Sequence, residues 1–316
     1  MSFVTTVIPV YNGEPYLEMT LQALAAQTRR PDRVVILENC STDRTPEIAA
    51  SFAGEGFECR RNKTHLHSGD NFNLALEYAK ETDVLHILTA DDVLKPAFME
   101  RALAPLEGIE ENALSYAAFE VIGTEGELLV DGDLANSFPI RPGAPPREIP
   151  LAKFLKAQSD LRTICAPAVL LKTNRKPIPA QARLEFIQCA DAVFYAELTR
   201  EYRRFFEIPE ALCQYRRHDA SVTSRNRARP AALLEDQWRA TTTIDDLRGA
   251  GGWLGRFRRR CFIAASSRIL LADTPQLDED QRREARAVAR RHAGWPAWWL
   301  GNLAVALRGL LGQGRS

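Results

Sequence analysis

The sequence has no net charge, because 41 lysine and arginine residues balance 41 aspartate and glutamate residues. A chain without a charge excess gives no general reason to expect nucleic acid or another polyanion as a partner. Its 45% hydrophobic and 26% charged residues are ordinary for a soluble globular protein, and its 316 residues suffice for one large domain or two ordinary ones. We therefore expect no nucleic-acid partner.

Paired cysteines and a dinucleotide-binding glycine motif are also absent. None of the six cysteines forms a Cys-x-x-Cys pair or has the spacing of a metal site. Reduced thiols in the cytoplasm are the simplest interpretation. No Gly-x-Gly-x-x-Gly follows the first predicted strand, which argues against an oxidoreductase that binds a dinucleotide.

The chain has no long apolar run at its start. Residues 3–10 are apolar, but they lack a basic flank and a small-residue cleavage site, and Pro9 interrupts them early. These features are typical of a first β-strand and not of a signal peptide. We therefore predict a strand at residues 4–10.

The first hundred residues alternate between short apolar runs and helical patterns. Strands rich in β-branched residues are predicted at residues 4–10, 34–37, 57–60 and 84–88. Leu17, Leu21 and Leu24 recur at helical spacing between the first two strands, and Pro15 suits the first position of that helix. This alternation predicts an α/β fold, with a mostly parallel central sheet and helices on both faces.

After about residue 106 the alternation gives way to other patterns. We predict a hairpin from residues 114–122 and 128–130, a proline-rich loop at 138–150, a strand at 167–171, a helix at 190–202 and further helices over 231–316.

Two adjacent carboxylates, Asp91 and Asp92, follow the fourth predicted strand. In open α/β sheets, ligands bind at the carboxyl ends of the strands. Neighbouring carboxylates repel each other unless a cation lies between them, and oxygen ligands of this kind suit Mg²⁺ or Mn²⁺. The pair therefore indicates a metal-bound nucleotide diphosphate; the alternative is an ordinary Asp-Asp turn or helix cap.

Four segments together resemble the family-2 glycosyltransferases of the GT-A fold. They are Val7-Ile8-Pro9-Val10-Tyr11-Asn12-Gly13, Ser41-Thr42-Asp43, Ala90-Asp91-Asp92 and Tyr215-Arg216-Arg217-His218-Asp219-Ala220-Ser221, in the family's order and at its usual spacing. The resemblance covers about residues 1–224. It implies that residues 1–115 form the nucleotide-sugar-binding half of the GT-A domain and residues 116–224 its acceptor-binding half, with a helical C-terminal extension at 225–316.

The resemblance implies roles for residues of the donor half. Pro9 and Tyr11 would lie beside the nucleoside, and Asn39 would lie near the edge of the base. Asp92 would be the direct ligand of Mg²⁺ or Mn²⁺, and Asp91 would lie nearer the ribose or sugar. Many relatives carry Asp-Asp where this chain has Glu38-Asn39. Because a carboxamide both donates and accepts, Asn39 is compatible with uracil, thymine or guanine.

In the acceptor half, the resemblance implies that His218 caps the metal or the diphosphate. Cys189-Ala190-Asp191 stands where relatives carry a Glu-Asp pair at the start of a helix, so Asp191 is the predicted catalytic base. The helix dipole would keep its carboxylate ionised and able to accept a proton from an acceptor hydroxyl. The alternatives are a plain N-terminal helix carboxylate at Asp191 and Glu185 as the base.

These expectations combine into a prediction of function. The Gln-x-x-Arg-Trp signature of processive polysaccharide synthases is missing, which favours single addition. We predict an inverting, metal-dependent glycosyltransferase that moves one sugar from a nucleotide diphosphate sugar to a hydroxyl of a saccharide or lipid-linked saccharide, in bacterial surface glycan synthesis. A sugar-nucleotide pyrophosphorylase would need a glycine-rich first loop, which is absent. The non-enzymatic alternative is an inactive GT-A-like binding or scaffold subunit.

The C-terminal extension combines arginines with tryptophans. Trp295-Pro296-Ala297-Trp298-Trp299-Leu300 follows an arginine-rich segment, and the apolar run beyond it is interrupted by Arg308. The run is shorter than the roughly 20 residues that cross a bilayer. Tryptophans beside arginines suit a membrane interface, which predicts a monotopic helix at the inner face of the cytoplasmic membrane. The alternative is a helix packed on the catalytic domain or in an oligomer.

Overall fold

The computed structural model describes residues 2–136, 138–162, 164–219 and 221–312, and the side chains of residues 133, 134, 222 and 303–312 lie outside this description. The chain forms two compact units. Unit 1 comprises residues 1–154, 162–182 and 197–217, and unit 2 comprises residues 155–161, 183–196 and 218–316. The predicted functional division at residues 115 and 224 stays a prediction.

Unit 1 is built on a ten-stranded sheet. The strands are β1 (Val4–Val10), β2 (Arg33–Glu38), β3 (Phe57–Arg61), β4 (Val84–Ile87), β5 (Val93–Leu94), β6 (Ala113–Ile122), β7 (Leu128–Val130), β8 (Arg147–Ile149), β9 (Val169–Lys172) and β10 (Arg204–Arg216). Eight lie in the order β3-β2-β1-β4-β9-β6-β10-β5, while β7 pairs with β6 and β8 with β10. The three longest ladders, β6 with β10, β1 with β2 and β2 with β3, are parallel. The predicted α/β fold with a mostly parallel sheet is confirmed.

The helices follow the predicted alternation in the first hundred residues. They are α1 (Leu17–Ala25), α2 (Thr45–Ser51), α3 (Ser68–Leu76), α4 (Phe98–Leu103), α5 (Gly132–Ala135), α6 (Leu151–Ser159), α7 (Ala190–Leu198), α8 (Val222–Arg227), α9 (Pro230–Leu247), α10 (Trp253–Asp273) and α11 (Glu279–Gly312). Leu17, Leu21 and Leu24 are fully buried in the core, as their spacing predicts. Pro15 lies in the turn before α1 and not at its first position, because the helix begins at Leu17.

Strand β10 is the largest difference between the predicted and the observed elements. Its 13 residues pair in parallel with β6 and were not predicted as a strand. The pairing register shifts between Ile208 and Ala211, on either side of Pro209. Proline cannot donate to a β-ladder and is tolerated at a bulge. Because Pro209 interrupts the strand pattern in the sequence, the continuous strand was not predicted.

Two predicted boundaries in the later half are also wrong. The proline-rich segment at residues 138–150 contains β8, which pairs with β10 in an antiparallel ladder. The helix predicted to reach residue 202 ends at Leu198, because residues 199–203 turn the chain into β10. β8 is joined to β10 by the ion pairs of Arg147 with Glu207 and of Glu148 with Arg204, which are long-range contacts that local composition does not carry.

The C-terminal part of unit 2 is helical, as predicted. Helices α9, α10 and α11 share a hydrophobic core. Its fully buried members are Leu234, Ile263, Ala264, Ala285 and Ala289. Gly294 has a φ of 68°, so α11 is two helical segments joined at this glycine. Over the described residues, no helix is both long and apolar enough to cross a bilayer.

Candidate active site

The predicted donor-site residues meet at one edge of the sheet. Strands β2, β1 and β4 are parallel neighbours, so their carboxyl ends lie side by side. Tyr11 follows β1, Asn39 follows β2, and Asp91 comes shortly after β4. The structure thus brings these residues to the edge at which ligands bind in open α/β sheets.

The turn after β1 is tied to the loop after β2 by hydrogen bonds. The backbone N–H of Asn12 donates to Ser41 Oγ at 3.0 Å, and that of Gly13 donates to Thr45 Oγ1 at 2.7 Å. A Cβ at Gly13 would lie 2.6 Å from Val10 Cγ2, so only glycine fits this close approach. These bonds hold Tyr11 in place at the edge, with 47% of its surface exposed.

Asn39 is buried, and its side chain is engaged by the protein. Its Oδ1 accepts from Asn62 Nδ2 and from the N–H of Leu66, both at 2.9 Å. Its Nδ2 donates to the carbonyl of Leu66 at 2.9 Å. The amide therefore organises the loop after β3, with both lone pairs of its oxygen in use. Its predicted contact with a base edge stays a prediction.

The loop that Asn39 holds places His65 against Tyr11. The two ring centroids lie 4.3 Å apart at an interplanar angle of 51°, and His65 Nδ1 lies 3.1 Å from the backbone oxygen of Asn39. Because a carbonyl only accepts, this bond assigns the hydrogen to Nδ1 and leaves a lone pair on Nε2 of the neutral ring. His65 was missed in the sequence, where nothing in its neighbourhood distinguishes it from an ordinary loop histidine.

The two adjacent aspartates lie in different environments. Asp92 is 1% exposed, and its Oδ1 accepts the N–H of Arg216 at 2.6 Å while its Oδ2 accepts from the Thr89 hydroxyl. Asp91 is half-buried. Burial, and then the charge of Asp91, raise the pKa of Asp92 well above its usual range. Asp91 is therefore the more accessible carboxylate of the pair.

Arg216 is a fully buried arginine at the end of β10 that anchors this loop. Its Nε donates to the carbonyl of Asp91 at 3.0 Å, and its Nη1 donates to the carbonyls of Gly123 and Thr124 at 2.8 and 3.0 Å. Its guanidinium lies over the Tyr16 ring, 4.8 Å from the centroid. The Tyr-Arg-Arg-His motif contains this residue, yet only the three-dimensional contacts show that it supports the aspartate pair.

Asp191, the alternative base Glu185 and His218 lie in unit 2, whereas the predicted donor-site residues lie in unit 1. Asp191 is half-buried in the first turn of α7, and its Oδ1 accepts the N–H of Ala192 at 2.7 Å. Burial raises the pKa of Asp191 to about 6, although backbone hydrogen bonds oppose the shift. Burial thus sets the direction of the shift, and the predicted effect of the helix dipole on Asp191 stays a prediction.

His218 and Glu185 have local partners within unit 2. The backbone oxygen of His218 accepts from Ser224 Oγ at 2.8 Å, next to the N-cap of α8 at Ser221. Glu185 is exposed and accepts from Arg183 Nε at 2.8 Å. Glu185 is a weaker candidate base than the half-buried Asp191, because a backbone hydrogen bond and then the hydrogen bond from Arg183 lower its pKa.

The described residues contain no group of three or more His, Cys, Asp or Glu side chains that could hold a metal by themselves. Mg²⁺ is ordinarily bound through one or two carboxylates together with substrate phosphates and water. The Asp91-Asp92 loop at the ligand-binding edge of the sheet therefore fits an ion that arrives with a diphosphate, whereas it does not fit a self-sufficient protein site.

Comparison with known families agrees with this geometry. The family model described as Glycosyl transferase family 2 matches residues 5–136, which contain the edge formed by β1, β2 and β4. The match relates residues 5–136 of the 316-residue chain to this family.

Curated relatives match parts of the chain. The O-antigen chain rhamnosyltransferase RfbN of Salmonella typhimurium is 30% identical over 91 residues, 29% of each protein. The putative glycosyltransferase EpsH of Bacillus subtilis is 24% identical over 234 residues, which cover 70% of this chain and 63% of EpsH. The chain thus spans less than two thirds of the length of these relatives.

Solved structures share the fold over most of the chain. TarS 1–349 of S. aureus in complex with UDP-GlcNAc is 15% identical, with a TM-score of 0.63, over 94% of this chain and 83% of that one. The mannosyltransferase PcManGT of Pyrobaculum calidifontis, in complex with GDP-Man and Mn²⁺, is 14% identical, with a TM-score of 0.54, over 98% and 87%. These likenesses confirm the GT-A fold.

Proposed function

We propose that this protein transfers a single sugar from a nucleotide diphosphate sugar to an acceptor hydroxyl, with inversion, in bacterial surface glycan synthesis. The observation that carries the proposal is the grouping of Tyr11, Asp91 and Asp92 at the carboxyl edge of β1 and β4, in a family-2 fold. RfbN, whose name refers to the O-antigen chain, supports the glycan context. The acceptor is a saccharide or a lipid-linked saccharide.

The donor nucleotide is proposed to bind along this edge. Half-buried Pro9 and the exposed ring of Tyr11 offer an apolar surface for the nucleoside, and His65 extends that surface. TarS is described in complex with UDP-GlcNAc and PcManGT with GDP-Man, which supports a nucleotide sugar as the ligand.

Mg²⁺ or Mn²⁺ would be held by the aspartate pair together with the diphosphate. When bound, such an ion acts as a Lewis acid that neutralises charge on the departing diphosphate. The half-buried Asp91 offers the more accessible oxygen, while Asp92 keeps the loop in place through Arg216 and Thr89. The predicted roles of Asp92 as a direct ligand and of His218 at the metal or diphosphate stay predictions.

Asp191 is proposed to act as the general base. Its pKa of about 6 keeps the carboxylate ionised at neutral pH while leaving it basic enough to accept a proton. As the acceptor oxygen bonds to the anomeric carbon, its proton passes to Asp191 and the bond to the diphosphate oxygen breaks, with the electron pair leaving on the diphosphate. One displacement at the anomeric carbon inverts its configuration.

Calorimetry of UDP, GDP, dTDP and CDP, each with Mn²⁺ and with EDTA, tests the donor site. We expect one class of diphosphate to bind only with Mn²⁺ and Asp91→Asn to weaken this binding at least tenfold. Asp83→Asn is the matched control, because Asp83 precedes the other end of β4 and pairs with Arg175. If none of the four binds, the inactive scaffold becomes the better description; if Asp92→Asn alone abolishes binding, Asp92 is the metal ligand.

The membrane contact is proposed from the surface of α11. Trp295 is 81% exposed and Trp299 is 61% exposed, one helical turn apart on the same face of the segment after Gly294, and the exposed Arg290 and Arg291 lie near the end of the segment before it. Exposed tryptophans beside unburied arginines complement an anionic lipid surface. We therefore propose an anionic membrane as the partner of this face.

Co-sedimentation with phosphatidylglycerol vesicles, compared with phosphatidylcholine vesicles, tests this contact. We expect binding to the anionic vesicles that falls at least fivefold in Trp295→Ala/Trp299→Ala. Leu128→Ala removes an equally exposed apolar side chain from unit 1 and should change nothing. Absence of vesicle binding, or self-association that the tryptophan variant abolishes, would instead assign the face to an oligomer contact.

A further inference from the structure

A buried carboxylate on α9 caps the segment that precedes α7. Asp236 is 4% exposed, and its Oδ1 accepts the N–H of Ile187 at 3.0 Å. Its Oδ2 accepts the N–H groups of Gln188 at 3.0 Å and of Cys189 at 2.8 Å. One side chain thus binds three consecutive backbone donors, and all of these contacts lie within unit 2.

These three N–H groups belong to the residues directly before α7, whereas the first-turn N–H of Ala192 is bound locally by Asp191 Oδ1. The first N–H groups of a helix have no intrahelical acceptor, and serine, threonine, aspartate or asparagine at the N-cap usually binds them. Cys189 directly precedes α7 and offers no such oxygen. Asp236, 47 residues further along the chain than Cys189, binds the N–H of Cys189 and of the two residues before it, and so fixes the segment that leads into α7.

Residues of α8 also bind the segment before α7. Asn226 Nδ2 donates to the carbonyl of Ile187 at 2.7 Å and to Gln188 Oε1 at 2.9 Å. Gln188 Nε2 lies 3.2 Å from Thr223 Oγ1. Residues 187–189 are therefore fixed by two different helices, and Asp191 follows two residues later.

We propose that Asp236 is a positioning residue for the transfer reaction, which fixes where the Asp191 carboxylate is presented by capping the segment before α7. This inference rests on the proposed role of Asp191 as the base. It also gives the C-terminal helical extension a part in the chemistry, because α9 belongs to that extension.

The charge of Asp236 has a second effect on the base. After burial, which is the larger cause, the nearby Asp236 carboxylate raises the pKa of Asp191. Cys189 is the other titratable group close by, and burial raises its pKa well above the usual range, so it remains a neutral thiol. Removing the charge at position 236 should therefore make Asp191 more acidic.

The test compares Asp236→Asn with Asp245→Asn in the full chain. Asp245 is also buried on α9, but its partners are Ser159, Arg248, Arg258 and Arg259. Turnover is followed as hydrolysis of UDP-GlcNAc and of GDP-mannose, with water as the acceptor, and the pKa of Asp191 is followed by carbon NMR of labelled aspartate. The Asp191 signal is assigned by its loss in Asp191→Asn.

We expect Asp236→Asn to lower turnover at least tenfold, to leave the dissociation constant of the nucleotide diphosphate within about twofold, and to lower the pKa of Asp191. Asp236→Glu keeps a carboxylate, so it should retain part of the wild-type turnover and part of the wild-type rise in the pKa of Asp191. Asp245→Asn should leave the pKa of Asp191 unchanged. A variant with wild-type turnover, or an unchanged pKa of Asp191, overturns the proposal.

A second variant covers the case in which Asp236→Asn does not fold. Asn226→Ala loosens the same segment without removing a charge, so it should lower turnover severalfold and leave the pKa of Asp191 in place; unchanged turnover overturns the positioning role. Failure of the proposed function is distinguishable, because full activity of Asp191→Asn would refute the base itself. Inactive Asp191→Asn with fully active Asp236→Asn refutes this inference alone.

Discussion

The backbone N–H of Arg216 donates to Oδ1 of Asp92 at 2.6 Å, across 124 residues of sequence. The guanidinium of the same arginine donates to the carbonyl of Asp91 at 3.0 Å. The end of β10 therefore holds both members of the aspartate pair, one through its side chain and the other through its backbone. The geometry of the loop that contains Asp91 and Asp92 therefore depends on β10, which is the last strand of unit 1 in the sequence.

Replacement of Arg216 should damage stability and donor binding together. Arg216→Met removes the side-chain donor to the carbonyls of Asp91, Gly123 and Thr124 and leaves the enclosed Asp92 carboxylate without its nearby cation, so we expect unfolding free energy to fall by on the order of 3–5 kcal/mol. Arg204→Met is the control on the same strand, because the exposed pair of Arg204 with Glu148 contributes at most about 1 kcal/mol. Urea denaturation measures the unfolding free energy of both variants, and a similar decrease for the two would contradict the anchoring role.

The pH dependence of turnover should report the ionisation of Asp191. Since its folded pKa lies near 6, above the usual 3.8, the carboxylate takes up a proton as the pH falls below about 6 and can no longer act as a base. Turnover should halve near that pH. Asp191→Asn should lower turnover by roughly 10²–10⁴-fold at neutral pH, with diphosphate affinity nearly unchanged. A profile that stays flat down to pH 4 would show that another group is the base.

His65 should discriminate between nucleobases. Its Nε2 offers a lone pair in the neutral ring, which suits the ring N–H of uracil, thymine or guanine and not the bare N3 of cytosine. We expect His65→Ala to reduce the preference for the bound nucleotide over CDP about tenfold, the effect of one hydrogen bond. His67→Ala is the control, since His67 lies two residues after His65 in the sequence and is the N-cap of α3. Equal effects of the two substitutions in calorimetry would rule out this contact.

His86 should make the fold sensitive to acid. It is fully buried in β4, where Nε2 lies 2.8 Å from the carbonyl of Pro167 and Nδ1 lies 3.1 Å from Thr6 Oγ1. Burial lowers its pKa to about 4, from the usual 6.5. Between these values the unfolded chain binds more protons, so this stabilisation is present above pH 6.5 and is lost as the pH falls towards 4.

The loss from His86 should be about 3 kcal/mol between pH 7 and pH 4. Denaturation of the wild type and of His86→Gln at both values measures it, because only the difference between the two proteins isolates this side chain. His67→Gln, at an exposed position, should behave like the wild type. An equal pH dependence of the unfolding free energy in His86→Gln and the wild type would show that protonation of His86 does not destabilise the fold.

Most of the fold was predictable because unit 1 begins with elements that are locally consistent. β1, β2 and α1 carry continuous apolar runs or helical spacing, and each is buried where its pattern places it. β10 was not predictable in this way, because Pro209 breaks its pattern and its pairing partner lies about 90 residues earlier. A parallel ladder between distant segments leaves little trace in either segment alone.

The amino-acid sequence by itself determined the alternation of strands and helices, the resemblance of the first part of the chain to family-2 glycosyltransferases, and the residue types at the edge of the sheet. These depend on short-range periodicity and on motifs read along the chain. Only the tertiary structure decided that Asp92 is enclosed while Asp91 is accessible, that Asn39 holds a loop, and that Asp236 binds the segment before α7. Burial and hydrogen-bond partners depend on segments brought together from distant positions, and these determine which carboxylates hold the fold and which remain for chemistry.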